Sequence, residues 1–300
     1  MRPPVMSDLP RLHLIDGTYE LFRAHFAPSP GRLDPQGRDI KATAGLVASM
    51  LALLHDATEA VTHLAIAFDN PIRSFRNDLF AGYKTDDGVP AELLAQFDRV
   101  EQATRALGVA VWSMRDHEAD DGLATGAHRF ADETSQVRIM SPDKDLGQCV
   151  VGTRVVQVDR RQNKEIDEDG VRALRGVGPA SIPDLLALTG DPQDGIPGLP
   201  GFGPKTAAAL LAAYTHLEQI PDDAARWSPA IRGAERLAAT LRERRADAML
   251  YRRLATVARD APVSATLDEM RFVGVPRARF EAECDALGLD SLRRRPRRWA

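Results

Sequence analysis

Leu64-Ala65-Ile66-Ala67-Phe68-Asp69 is an unbroken apolar run of strand length closed by a carboxylate. A run that is apolar on both faces predicts a strand buried on both faces, as in a parallel sheet covered by helices. The pattern repeats outward along the chain. Apolar or β-branched runs at 12–15, 109–112, 137–140 and 155–158 read as further strands. Between them, 43–60, 92–107 and 119–130 carry apolar residues at helical spacing. Strand and helix in alternation predict an α/β core, a mostly parallel sheet with helices on both faces. Such sheets place ligands beyond the carboxyl ends of their strands.

After about residue 177 the pattern changes. Helical stretches at 182–189, 205–214, 231–258 and 277–287 are separated by turns, and 190–204 is dense in Gly and Pro. We therefore expect an α/β core over 8–180, an all-helical unit over 181–290 and a basic tail, with its Arg run at 293–298, over 291–300.

The acidic residues fall where the strands end. Asp16 closes the first strand and Asp69 the second; Glu118, Asp120 and Asp121 follow the third; Asp143 and Asp145 follow the fourth. One such Asp is commonly a turn or helix cap, and the Glu118-Ala119-Asp120-Asp121 stretch also suits a helix start. Recurrence at four strand ends points instead to carboxylates gathered on one sheet edge, a cost that hard divalent cations relieve. Asp191 and Asp194 add two more, just before Ile196-Pro197-Gly198-Leu199-Pro200-Gly201-Phe202-Gly203-Pro204-Lys205-Thr206-Ala207. That stretch reads as a hairpin between helices, with Pro204 in the first turn of the second. Free N–H groups at such a helix start, with Lys205 beside them, suit a phosphate; a plain αα-hairpin is the alternative.

Composition narrows the classes further. With 300 residues, 44% of them hydrophobic, the chain can bury a sizeable core, and neither disorder nor a fibrous repeat fits. The longest apolar stretch, 42–54, is too short to span a bilayer, and the N-terminus has no export signature, so a cytoplasmic enzyme is expected. Cys149 and Cys284 are too few for a disulfide framework. The net charge of −4 hides an asymmetry: 15 basic against 22 acidic residues in 1–150, but 24 against 21 in 151–300.

The ordered set Leu14-Ile15-Asp16-Gly17, Phe68-Asp69, Phe75-Arg76, Tyr83-Lys84, Glu118-Ala119-Asp120-Asp121, Asp143-Lys144-Asp145-Leu146, Gly190-Asp191 and the 196–207 hairpin is specific as a whole. It resembles the 5′-nuclease superfamily, the flap-endonuclease-like enzymes that include the 5′→3′ exonuclease domain of bacterial DNA polymerase I. The resemblance implies a PIN-like α/β core followed by a helix-three-turn-helix unit that binds DNA. It implies two divalent ions, Mg²⁺ or Mn²⁺, with Asp16, Asp69, Glu118, Asp120 and Asp143 around the first and Asp121, Asp145, Asp191 and Asp194 around the second. Arg76 and Lys84 would then supply positive charge at the scissile phosphate, and Tyr83 a ring for a terminal base. Gly198, Gly201, Gly203, Lys205 and Thr206 would hold the DNA backbone, and K⁺ would bind the hairpin carbonyls between Gly198 and Gly203.

The implied activity is 5′→3′ exonuclease and flap endonuclease action on DNA with free 5′ ends, in replication or repair, with no polymerase domain in this chain. A PIN-type ribonuclease would lack the hairpin unit, a non-catalytic binder of branched DNA would lack carboxylates, and a phosphatase would leave the hairpin unexplained. Two departures from the family pattern stand out. Thr85-Asp86-Asp87-Gly88-Val89-Pro90 replaces a basic, Pro-rich arch and should grip a single strand weakly, and Gly195 follows Asp194 where Asn is usual, a change expected to loosen that turn.

Overall fold

A computed structural model describes residues 9–300; residues 1–8, most of the N-terminus read above for export and the first residue of the expected core, lie outside the described residues. The chain divides into two compact units that interleave in sequence. The first comprises residues 9–73, 86–141 and 259–300; the second comprises 74–85 and 142–258.

Strands β1 (Arg11–Asp16), β2 (His63–Asp69), β3 (Ala110–Met114) and β4 (Gln136–Met140) of the first unit run parallel in the order β3-β2-β1-β4. Helices α1 (Gly17–Phe26) and α2 (Lys41–Leu54) lead from β1 to β2. The α3 helix (Arg76–Leu79) belongs to the second unit, and α4 (Ala91–Leu94), α5 (Phe97–Ala106) and α6 (Ala119–Phe130) to the first. The two sheet faces are covered by different helices. A Cβ on Gly17 of α1 would meet the Phe68 ring at 2.6 Å, whereas one on Gly122 of α6 would lie 3.5 Å from the Ala67 Cβ. Adjacent strand residues point to opposite faces, so α1 and α6 flank the sheet. Gly126, one turn after Gly122, lets α6 approach Trp112 and Leu14.

Two expected helices of the first unit differ from expectation. The 92–107 stretch is split into α4 and α5 at Gln96, which is fully buried. Its amide oxygen accepts from Thr43 N (3.0 Å) and Thr43 Oγ1 (3.1 Å), serving the first turn of α2, whose own N-cap residue offers no side-chain bond. The 43–60 helix stops at Leu54, and turns fill the rest.

In the second unit β5 (Val155–Asp159) pairs antiparallel with β6 (Lys164–Ile166), a short charged strand without a sequence signal. Helices α7 (Glu168–Arg175), α8 (Ile182–Thr189), α9 (Pro204–Tyr214), α10 (Ala234–Glu243) and α11 (Arg245–Ala255) follow. The expected 231–258 helix is thus two, broken at Arg244. Leu186, Leu188, Leu199, Leu210, Trp227 and Tyr251 belong to one buried core. Helices α12 (Arg277–Leu287) and α13 (Asp290–Arg293) return to the first unit. The fold is the expected α/β class, a mostly parallel sheet covered on both faces, followed by a helical region.

Candidate metal centre

In the first unit, three strand ends deliver their carboxylates into hydrogen bonds that fix them. Asp16 is the N-cap of α1: one oxygen accepts from Tyr19 N (2.8 Å), the other from the Ser141 hydroxyl (2.7 Å). Asp69 Oδ1 accepts from Ala119 N (2.6 Å), in the first turn of α6. Glu118 and Asp121 form a reciprocal capping box at the start of α6, with Glu118 N donating to Asp121 Oδ2 at 2.9 Å. Asp121 is fully buried in that cap, whereas Asp120, one residue earlier, is half-buried. Cap and metal ligand are compatible for Asp16 and Asp69, because a carboxylate has about four lone-pair sites.

The second unit contains the tightest carboxylate cluster among the described residues. Asp145, Asp191 and Asp194 each offer an oxygen, all within 4.8 Å of one another. Asp143 caps a short 3₁₀ helix (Lys144–Cys149), its Oδ1 accepting from Asp145 N at 2.9 Å, and thereby sets Asp145 in place. Asp191 and Ile196 exchange two backbone bonds of 2.8 Å, which close the tight turn carrying Asp194. Asp145 is 5% exposed, and its Oδ1 has no hydrogen-bond partner among the described residues. Burial raises its pKa well above the ordinary carboxylate range, and repulsion from Asp143 and Asp194 adds to the shift while Lys144 opposes it. Three oxygen donors, one of them buried without a hydrogen bond, fit a hard divalent cation.

Lysines flank this cluster. Lys84 Nζ is 2.9 Å from Asp194 Oδ1, and Lys84 N donates to Asp194 O at 3.0 Å. Lys144 Nζ is 2.5 Å from Asp191 Oδ2. Burial pulls the Lys144 ammonium pKa down, but Asp145 and Asp191 outweigh it and the net shift is upward. In the sequence Lys144 stands between two acids, with no spacing to single it out.

Arg76 and Tyr83 sit differently from expectation. Arg76 is 2% exposed and donates to Leu254 O (2.8 Å) and Thr256 O (2.9 Å), tying down the end of α11. Tyr83 is 4% exposed within the apolar core of the second unit, so its ring packs there and is not displayed for a base. The sequence expectation for the turn at Gly195 is also revised. Gly195 has φ +73°, and a Cβ there would lie 2.1 Å from Gly82 O. A side chain is excluded, so Gly195 allows the close approach on which the Lys84–Asp194 contact depends.

At the hairpin, Gly198 (φ +70°) and Gly201 (φ +87°) make turns that L side chains resist, and a Cβ on Gly198 would sit 2.4 Å from Gly190 N. Gly203 is the N-cap of α9, with no side-chain hydrogen bond and Pro204 in the first turn. Gly201, Gly203 and Lys205 are exposed and Thr206 half-buried, which leaves this helix start accessible.

A family model described as 5′-3′ exonuclease, N-terminal resolvase-like domain, matches residues 11–176, and one for the 5′-3′ exonuclease C-terminal SAM fold matches 177–278. The chain belongs to the 5′-3′ exonuclease family. It is 34% identical to DNA polymerase I of Mycobacterium leprae over 95% of this chain, and 34% identical to DNA polymerase I of Bacillus caldotenax over 94%. It spans about a third of the length of those curated relatives, 31% and 32%. The bacteriophage T5 flap endonuclease, crystallised with DNA and metal ions, superposes with a TM-score of 0.64 at 17% identity, covering 82% of this chain and 89% of that one. This exonuclease-family fold therefore extends over both the α/β and the helical parts.

Proposed function

We propose that this chain is a divalent-metal-dependent 5′→3′ exonuclease and flap endonuclease acting on DNA with a free 5′ end. The observation that carries the reading is the meeting of Asp145, Asp191 and Asp194 in a chain matched along both parts by this nuclease family. The DNA and metal ions named with the T5 flap endonuclease support the same substrate and cofactor class.

In this reading Asp145, Asp191 and Asp194, with Asp143 beside them, hold one ion, Mg²⁺ or Mn²⁺, and Asp16, Asp69, Glu118 and Asp120 of the first unit serve another. Bound ions supply an activated water and stabilise the leaving oxygen. Lys84, held by Asp194, adds positive charge for the phosphate. Asp121 and Arg76 position neighbouring groups. The α9 start, with Gly201, Gly203, Lys205 and Thr206, takes a phosphate of the DNA backbone, and K⁺ binds the carbonyls between Gly198 and Gly203. In this reading the nuclease core occupies 8–180, the DNA-binding helical unit 181–290 and the basic tail 291–300, at work on cytoplasmic DNA in replication or repair. No helix among the described residues is long and apolar enough to cross a membrane.

The test is cleavage of 5′-labelled flap, nicked, blunt and RNA substrates with and without Mg²⁺, in K⁺ and in its absence. Wild type should cut the DNA substrates only with the divalent ion, and Asp143→Ala should lose at least about a hundredfold. Binding without cleavage of any DNA substrate overturns the enzyme reading, and a preference for RNA would make it a ribonuclease.

A further inference from the structure

The Asp145, Asp191 and Asp194 group already faces a cation belonging to the chain itself. Lys144 Nζ lies 2.5 Å from Asp191 Oδ2 and 3.7 Å from Asp145 Oδ1, against two of the three carboxylates. A divalent ion ligated by all three needs those same oxygens at roughly 2.0–2.6 Å. An ammonium bonded to one of them occupies a lone pair and places a like charge within a few ångströms of the ion. The two cations compete for one set of donors.

The lysine is built to yield. Its side chain is about a quarter exposed, and it lines a cavity of about 260 Å³ walled by Leu174, Ile182, Leu185 and Leu186, with Arg175 at the same site. A four-carbon stem can lie along such apolar surface while the ammonium finds water. Lys84, the other lysine on the cluster, is further fixed through its backbone bond to Asp194 O.

We propose that Lys144 is a tethered counter-ion of this centre, displaced when the divalent ion binds, and that it thereby weakens the affinity of that ion. The inference rests on reading the three carboxylates as a divalent-cation site. Without the ion, Lys144 neutralises part of a crowded acidic cluster; with it, the ammonium gives up Asp191. The centre is then loaded only at higher metal concentrations.

The test is Mn²⁺ titration of the whole chain, followed by electron paramagnetic resonance and calorimetry at fixed pH and ionic strength. Lys144→Met should tighten the weaker class of Mn²⁺ sites about tenfold, equivalent to roughly 1.4 kcal/mol. Lys144→Arg, which keeps the charge, should retain weak binding. Lys164→Met, removing a charge from the exposed strand β6, should change affinity by less than about twofold. Unchanged or weaker Mn²⁺ binding in Lys144→Met overturns the proposal, as does equal tightening in Lys164→Met. Lys144→Gln provides a second neutral variant, and circular dichroism checks the fold of each. Asp191→Asn separates the two levels of inference: it should abolish the weaker class. If it binds Mn²⁺ like wild type, the carboxylate site fails and the counter-ion with it. If it loses the class while Lys144→Met matches wild type, only the counter-ion fails.

Discussion

At the scale of single residues, Gly195 connects backbone geometry to the chemistry of the site. Its φ of +73° and the 2.1 Å approach of a would-be Cβ to Gly82 O mean that any side chain must push apart the segments that join Lys84 to Asp194. Gly195→Ala should cost roughly 2–4 kcal/mol, combining left-handed strain with overpacking, and Gly195→Asn should not do better. Urea unfolding measures this; a loss below about 0.5 kcal/mol would mean that the turn accommodates a Cβ. The sequence offered Gly195 only as a departure from a pattern. Its neighbour in space, Gly82, is more than a hundred residues away, so the steric reason was not readable. The same holds for Tyr83 and Arg76: an aromatic and a basic residue near a motif suggested ligand contact, and their burial against the core and the end of α11 was decided by packing.

At the scale of elements, strands β1 and β4 and the turn after α2 are tied by one ionic group. Glu59 accepts from His13 of β1 (3.0 Å) and from Arg138 of β4 (3.1 Å). The His13 hydrogen bond, against an opposing burial effect and assisted by Arg138, lowers the Glu59 pKa to about 2. Because the folded value lies below the unfolded one, its stabilisation is fully present above about pH 4.5 and disappears as pH falls toward 2. Glu59→Gln should therefore lower stability at pH 7 and flatten the loss between pH 5 and about pH 2, as read from thermal unfolding across pH. An unchanged acid slope would show that the group contributes little. The elements themselves were largely legible: α6, α8 and α12 have the bounds that periodicity suggested, α12 burying one stripe and α6 and α8 most of their length. The break at Gln96 was hidden because its cause is a partner on α2, and the break at Arg244 carries no Gly or Pro to mark it.

At the scale of the whole molecule, charge is distributed in keeping with a metal-dependent nuclease. Setting aside the eight carboxylates assigned to the ions leaves 39 basic against 35 acidic residues, a modest surplus for phosphates whose grip salt should weaken. The segment between Lys84 and α4 limits that grip locally. It is six residues long, turns through Gly88 (φ +85°) with Val89 N bonded to Asp86 O at 3.0 Å, and exposes Asp86 and Asp87. Replacing both acids with Lys should raise cleavage of 5′ flaps several-fold at low salt, with less effect on nicked duplex; equal or lower flap cleavage would count against electrostatic exclusion.

The sequence by itself determined the α/β class, the strand-end placement of the carboxylates and the glycine-rich hairpin, since periodicity and turn chemistry act over a few residues. Tertiary structure alone decided which carboxylates meet, that Lys144 stands among them, and that Arg76 and Tyr83 are inside. Those outcomes depend on residues far apart in the chain being forced together by close packing, and no local pattern encodes a distance of that kind.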